Sequence, residues 1–348
     1  MGGKRHRREI VMSIRAQYGR IADAVNKGLN RLSEFKLLPY LPYPRSIICE
    51  LTTYCPLRCL ICPLHYSYGR AMDKGHMDLE KLKRLIDESH PYLDNVGLTG
   101  LGETVLYPHL REAVEYIRDK KPSVSIYLST NASLPSSAEI IGSVMDKINS
   151  IQISIDGIGE VFEKLRKGAT YDLFLSNVRR IARTAHEGGT DILFNMVILK
   201  ENHHQMAEVI RLAKKIGIAR VTFTPVNLAS VDWDIEYYRF FHTPEFNRML
   251  AEAKSAAAAE GVGLSLVPPT ERREFRNCPY VWKFMYVTWD GYLAPCCAKP
   301  FRKELHFGNV FEKGLLRCLN SREAVKFRIL SLRNRIPVFC RRCHWVVD

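Results

Sequence analysis

Three cysteines stand on one short stretch, Cys55-Pro-Leu-Arg-Cys59-Leu-Ile-Cys62, with three and then two residues between them. Thiolates so spaced on a tight loop can converge on one iron–sulfur cluster and leave one of its irons without a protein ligand. A structural zinc site would want a fourth ligand nearby, which His65 could supply, and an ordinary ferredoxin cluster would take a fourth cysteine and leave nothing open for chemistry. Four more thiols lie toward the other end, Cys278, Cys296 and the knuckle Cys340-Arg-Arg-Cys343. Four thiolates can fully ligate either zinc or a 4Fe-4S cluster, and spacing does not distinguish the two. Cys297 adjoins Cys296 and reads as a buried small hydrophobe, a spare ligand or a reactive thiol, while Cys49 and Cys318 fall in apolar patterns and read as core. Ten cysteines behind a start with no apolar signal segment point to metal or catalysis rather than disulfides, and to the cytoplasm.

From residue 46 a unit recurs, a short β-branched run, a turn and a helical pattern. The runs are 46–51, 95–99, 123–129, 150–155, 191–198 and 219–223, and the helical stretches cover 78–89, 108–120, 138–146, 172–187, 203–216 and 244–260. Six such alternations predict an α/β fold with a parallel sheet, either an incompletely closed six-unit barrel or an open doubly wound sheet. In both, ligands belong at the carboxyl ends of the strands. The polar motifs fall there. Cys55 follows the first run, Gly100-Leu101-Gly102-Glu103 the second, Thr130-Asn131 the third, Ser154-Ile-Asp156 the fourth, and Asn195-Met-Val197 continuing to Asn202 the fifth. Alone, Ser154 or Asn131 would read as a helix cap or turn residue; in series they read as a site. The aromatic and acidic stretch 226–242 is either a lid over that site or packing under an appendage.

Beyond Leu266 the pattern changes to Pro268-Pro269, a strand-turn-strand signal around Trp289-Asp290-Gly291-Tyr292 and the later cysteines, the mark of a small metal-stapled unit. At the other end Ile10, Ile14, Ile21, Val25, Leu29 and Leu32 recur at mostly three-to-four spacing among Arg and Lys. Residues 9–38 therefore predict an amphipathic helix packed on the outside of the barrel, with membrane-surface docking as the alternative. The predicted division is a basic amphipathic helical extension over 1–45, a barrel over 46–265 and a cysteine-rich domain over 266–348. Residues 1–45 hold ten Lys and Arg against three Asp and Glu, residues 299–348 twelve against four, and the whole chain carries +14. Such charge serves solubility, offsets a bound anionic group, or attracts an anionic substrate or surface. No finger spacing or aromatic RNA-binding motif accompanies it, so no nucleic-acid partner is expected. No run of about 18 apolar residues predicts a membrane span.

The first cysteine motif, at the carboxyl end of the first strand of a βα-repeat chain, resembles that of the radical S-adenosylmethionine (radical SAM) superfamily, and the resemblance runs over residues 46–225. It implies a partial (β/α)6 TIM-like barrel in which Cys55, Cys59 and Cys62 hold a 4Fe-4S cluster. In that family the open iron chelates SAM, and one electron cleaves SAM to methionine and a 5′-deoxyadenosyl radical that abstracts hydrogen from substrate. Where the superfamily has Gly-Gly-Glu-Pro to hold the SAM amino group, Gly102 and Glu103 match while Leu101 and Thr104 depart. By the same resemblance Thr130, Asn131, Ser154, Asp156, Asn195 and Val197 fall at ribose, carboxylate and adenine contacts. Arg166 falls at a carboxylate-binding arginine, and Ile61 at the position that packs against adenine.

The tail, Cys278-x12-Gly291-x4-Cys296, then Phe307-Gly308-Asn309-Val310, then Cys340-x2-Cys343, resembles the SPASM/Twitch iron–sulfur extensions that follow such barrels. With Asp348 five residues beyond Cys343, one auxiliary 4Fe-4S cluster is expected, held by Cys278, Cys296, Cys340 and Cys343. The spacing is similar to that of 2-deoxy-scyllo-inosamine dehydrogenases. The resemblance implies a radical SAM oxidoreductase or epimerase that dehydrogenates or epimerises a carbohydrate, cyclitol or related hydroxylated small molecule. Cys297 would be the hydrogen-atom donor of an epimerase, and the electron donor a flavodoxin or ferredoxin. Alternatives are modification of a ribosomal peptide, against which the short segment before the barrel counts, and action on a lipid or lipid-linked glycan. From another class comes a non-enzymatic zinc or iron–sulfur redox sensor.

Overall fold

A computed structural model describes residues 21–33, 35–36, 38–266 and 274–344. Among these the chain builds nine strands: β1 Ser46–Cys49, β2 Asn95–Leu98, β3 Ser125–Thr130, β4 Ser150–Ser154, β5 Asp191–Ile198, β6 Arg220–Pro225, β7 Gly263–Leu266, β8 Phe284–Val287 and β9 Leu293–Ala294. They share one sheet in the order β7-β6-β5-β4-β3-β2-β1-β8-β9. β1 to β8 run parallel and β9 turns back antiparallel on β8. The six predicted runs become β1 to β6 within a few residues, and β7 and β8 extend the sheet beyond them. β8 lies against β1, with Ser46 opposite Phe284 and Cys49 opposite Val287, so the cysteine-rich region shares the barrel's sheet.

Helices Leu79–Ser89, Leu110–Lys120, Ser137–Gly142, Tyr171–Gly188, Met206–Ile216 and Pro244–Glu260 follow the first six strands in turn. Side-chain caps fix where the first and last begin: Asp78 accepts the Lys81 N–H at 2.9 Å and Thr243 the Phe246 N–H at 3.2 Å. Burial alternates along β3 to β6, as it must where a strand has two unlike faces. Ile126, Leu128, Ile151, Ile153, Phe194, Met196, Val221 and Phe223 are buried in the main core with Val178, Ile181 and Ile210 of the covering helices. Tyr127, Ser129, Gln152, Ser154, Asn195, Val197, Thr222 and Thr224 are half-buried and lie in register on the other, inner face. Helices outside and a polar inner face make this an open, TIM-like partial barrel.

Residues 21–33 are helical, and residues 9–20 of the predicted helix lie outside the described residues. Its polar side turns inward. Asn26 and Asn30 both donate side-chain N–H to the Tyr43 carbonyl at 3.0 Å, and Asp23 pairs with Arg45 at 2.6 Å. The described part of the helix is held on the outside of the barrel by this polar column, while Ile21, Val25, Leu29 and Leu32 are between 48% and 58% exposed. The chain entering β1 offers an unpaired carbonyl and a guanidinium at this point, and these take polar partners rather than leucines. The proline-containing connector is pinned to the far end of the chain. Buried Arg328 donates to the Pro39 and Leu319 carbonyls at 2.5 Å each, and Asn320 exchanges hydrogen bonds with the Leu41 backbone at 2.8 Å each way. Among the described residues no helix is long and apolar enough to cross a membrane.

Candidate active site

After β1 the chain runs into the loop of Cys55, Cys59 and Cys62. Bonds from Arg58 N to the Lys167 carbonyl and from Leu60 N to the Leu165 carbonyl, 2.8 Å each, hold this loop against the segment that follows β4. The three thiols are half-buried, and burial pushes Cys55 up to about 12 and Cys62 up to about 11. Such thiols become thiolates only beside a strong positive charge, such as a metal's.

The β2 turn is threaded tightly against this loop. A Cβ on Gly102 would sit 2.3 Å from the Thr52 carbonyl oxygen, and Glu103 N donates to the Tyr54 carbonyl at 2.8 Å. Glu103 is buried, which raises its pKa against the pull of its donors: Thr130 Oγ1 at 2.7 Å, the Asn131 N–H at 2.7 Å and the Val105 N–H at 3.3 Å. Asn131 in turn aims its side-chain amide at Cys55 Sγ, 3.5 Å away. On the other flank Asp156 accepts the Val197 N–H at 3.0 Å and pairs with Arg166 at 2.8 Å, while Asn202 donates to the Asp156 and Val197 carbonyls at 3.0 and 2.9 Å. Ser154 lies opposite Asn195, whose side-chain oxygen accepts from Thr224 Oγ1 at 3.0 Å. Burial opposes the charge of Arg166, and Asp156 with the Cys59 and Cys55 sulfurs more than offsets it. Arg166 Nε is buried without a hydrogen-bond partner. A buried donor left so costs about 1–3 kcal/mol, and this unspent N–H fits an anionic group beside the cysteine loop.

The second cysteine set is assembled from three segments: Cys278 before helix Pro279–Trp282, Cys296 after β9, and Cys340 and Cys343 around the last turn. These four, with Tyr280, Cys297, Lys299, Phe339 and His344, wall a cavity of about 440 Å³. Its opposite wall is the barrel mouth, with Ile61, Pro63, Val197, Thr224 and Asn227. All four cysteines line this one cavity, which has room for a cluster several atoms across as well as for a zinc ion. Burial, then the neighbouring sulfurs, push Cys278 up to about 12 and raise Cys296 and Cys340 as well. Asn227 donates to Cys343 Sγ at 3.4 Å, and buried Lys299 donates to Glu304 at 2.5 Å and to the Phe339 carbonyl at 3.1 Å beside Cys340.

Cys297 packs with Ile48, Tyr127 and Tyr286 on the inner face of the sheet. Gly97 makes room there, since a Cβ would sit 2.2 Å from the Tyr127 ring. Burial raises the Cys297 pKa, and Tyr280 hydrogen-bonds its sulfur. The aromatic stretch after β6 packs rather than hangs free. Trp233 Nε1 donates to Tyr66 Oη at 2.8 Å, Tyr238 Oη donates to the Arg342 carbonyl at 3.0 Å, and Phe240 and Phe241 are buried. Two polar residues of this region escape sequence reasoning. Lys299 is one. Glu50 is the other, buried at the joint of β1, β2 and β8, where it accepts from the Leu101 N–H at 3.1 Å, Tyr286 Oη at 2.8 Å and the Trp289 N–H at 3.3 Å. The only signal for Glu50 is an acid within an otherwise apolar run.

A family model of the Radical SAM superfamily matches residues 49–226. The chain belongs to the radical SAM superfamily. A second model, the SPASM iron–sulfur cluster-binding domain, matches residues 278–344. As a radical SAM enzyme with a SPASM domain, the protein uses SAM, a 4Fe-4S cluster and auxiliary iron–sulfur binding, and the three-thiol loop and the unpaired Arg166 Nε fit that equipment. It is similar to the antilisterial bacteriocin subtilosin biosynthesis protein AlbA of Bacillus subtilis, 24% identical over 320 residues, 87% of this chain and 68% of that protein. It is also similar to the PqqA peptide cyclase of Gluconobacter oxydans, 24% identical over 314 residues, 86% of this chain and 82% of that protein. Among solved structures, Streptococcus suis SuiB bound to S-adenosylmethionine superposes with a TM-score of 0.65 at 17% identity, over 85% of this chain and 70% of that one. At that identity the likeness is one of fold.

Proposed function

We propose that this radical SAM enzyme modifies a peptide. The observation that carries the reading is the similarity, over 86–87% of the chain, to proteins named for PqqA peptide cyclisation and for subtilosin biosynthesis. In support, SuiB has also been solved with its precursor peptide SuiA, and that complex shares the fold with a TM-score of 0.65 over 90% of this chain. Dehydrogenation or epimerisation of a carbohydrate or cyclitol, which the cysteine spacing favours, has less support, because the relatives are named for PqqA peptide cyclisation, for mycofactocin maturation and for subtilosin biosynthesis.

In this reading Cys55, Cys59 and Cys62 hold the SAM-binding cluster, and Cys278, Cys296, Cys340 and Cys343 an auxiliary one. Together with SAM these groups supply a 5′-deoxyadenosyl radical that takes a hydrogen atom from the substrate. Glu103, steadied by Thr130 and Asn131, and Asp156, steadied by the Val197 N–H, orient the polar ends of SAM. Arg166 Nε takes its carboxylate, and Ile61 and Val197 pack on its adenine. A substrate side chain enters between Pro63 and Thr224 on one wall and Tyr280 and Cys297 on the other, where apolar neighbours exclude water. The working division remains a barrel over 46–265 and an auxiliary domain over 266–348.

The test is anaerobic reconstitution, with 5′-deoxyadenosine and peptide mass measured in the presence of short peptides encoded beside the gene. Peptide-dependent 5′-deoxyadenosine and a changed peptide mass support the reading. Stimulation by cyclitols or amino sugars, and by no peptide, sinks it.

A further inference from the structure

Of the twelve large hydrophobic residues exposed among the described residues, seven lie between positions 21 and 40. Ile21, Val25, Leu29 and Leu32 recur every three or four positions and so form one stripe along the 21–33 helix. Phe35, Leu38 and Tyr40 follow and are between 60% and 71% exposed. Scattered exposed leucines need no explanation, but a row of this length marks a surface that meets something apolar. The helix is not loose, because its neighbouring polar column, Asp23, Asn26 and Asn30, is tied to Arg45 and to the Tyr43 carbonyl.

The described charge near the stripe points to that partner. In sequence, residues 1–45 hold ten Lys and Arg against three Asp and Glu, six of the ten ahead of the described residues, where the apolar spacing also continues through Ile14 and Ile10. Arg31 is exposed on the helix, whereas Lys27 is engaged by Asp23 at 2.8 Å. Beyond the helix Lys36 donates to Asn277 at 2.8 Å and sits near Arg276 and Lys283. Burial, then those two cations, lower the Lys36 pKa, while Glu274, itself bonded to Arg276, acts the other way. A second copy of the chain docked on this face would set these cations against their own kind. An anionic surface would relieve them.

We propose that the 21–33 helix docks on an anionic lipid surface, its apolar stripe entering the headgroup boundary with Arg31 and Lys36 against lipid phosphates. The helix is fastened at the amino ends of β1 and β2, through Tyr43, Arg45 and Asp94. The Cys55–Cys62 loop leaves the opposite, carboxyl end of β1. The proposal does not depend on the identity of the substrate.

The experiment is flotation of the reconstituted full chain with vesicles of phosphatidylcholine alone, or with about 30 mol% phosphatidylglycerol. Binding to the anionic vesicles, weakened roughly tenfold between about 0.1 and 0.5 M salt, is the expected result. Val25→Ser with Leu29→Ser and Leu32→Ser is expected to weaken it by about tenfold or more while 5′-deoxyadenosine production is kept. Arg31→Glu with Lys36→Glu provides an independent variant that leaves the stripe intact and lowers the salt dependence. Failure to bind anionic vesicles overturns the proposal. So does a concentration-dependent dimer that the serine substitutions dissolve, which would show a second copy on the stripe.

Discussion

The two cysteine sites are built by opposite means. The first lies on a single loop held by backbone bonds to the segment after β4, and its surroundings are polar: an amide on Cys55, a carboxylate held by the β3 end, and an arginine with one N–H unspent. The second gathers four cysteines from three distant segments and is walled by Phe275, Phe327 and Phe339, with the ion pair of buried Lys299 and half-buried Glu304 beside it. Three thiols with a donor to spare make a site that accepts a further ligand. Four thiols in a largely apolar wall can supply every ligand of a cluster. The contrast sets a loop that leaves a donor unspent against a cavity whose cysteines need no further ligand.

Replacing Cys55, Cys59 and Cys62 together with Ala breaks the first side outright. It should abolish 5′-deoxyadenosine formation and leave about half the iron, as counted after reconstitution. Retained SAM cleavage would mean that the wrong site has been taken as the reactive one. Arg166→Met should raise the KM for SAM by about 100-fold and leave the iron count unchanged. Arg166→Lys, which keeps charge but not the planar fork, should recover only part of that loss. A KM unaffected by either change would show that the unpaired Nε is not a ligand contact.

On the second side the sharper tool is charge. Lys299→Met removes a buried cation near Cys340 and should lower the auxiliary potential by about 50 mV in a potentiometric EPR titration. Glu304→Gln should move it the other way, and shifts of the same sign in both would mean that packing, not charge, is being read. The smallest effect belongs to Glu50, which touches both sides. Burial raises its folded pKa above 4.5 against the three groups that donate to it, so its contribution to stability is full below that value and falls as pH rises through it. Glu50→Gln should flatten that slope and cost about 1 kcal/mol, because its amide N–H₂ meets a N–H of Leu101 or Trp289. Thermal melts at two pH values would show it.

Local periodicity made much of this readable. Strands β1 to β6 were visible because β-branched runs alternate with helical patterns, and the polar residues at their ends were visible because they come in series. The pairing of β8 with β1 was not, since two short apolar strands separated by most of the chain leave no mark on each other. Glu50 and Lys299 were hidden for a related reason: each is ordinary in its own segment and becomes notable only through partners contributed by another. The 21–33 helix is a different case. Its pattern is amphipathic, but which face turns inward was decided by the Tyr43 carbonyl and Arg45, polar groups that periodicity ignores.

The order of strands also sets a timetable. β1 pairs on one side with β2, made soon after it, and on the other with residues 284–287, which leave the ribosome only when most of the chain already exists. Through that interval one edge of β1 has no partner, and an unpaired apolar edge is a template for pairing with the wrong chain. During synthesis the segment leading into Cys55, Cys59 and Cys62 therefore carries an open edge until β8 has been made.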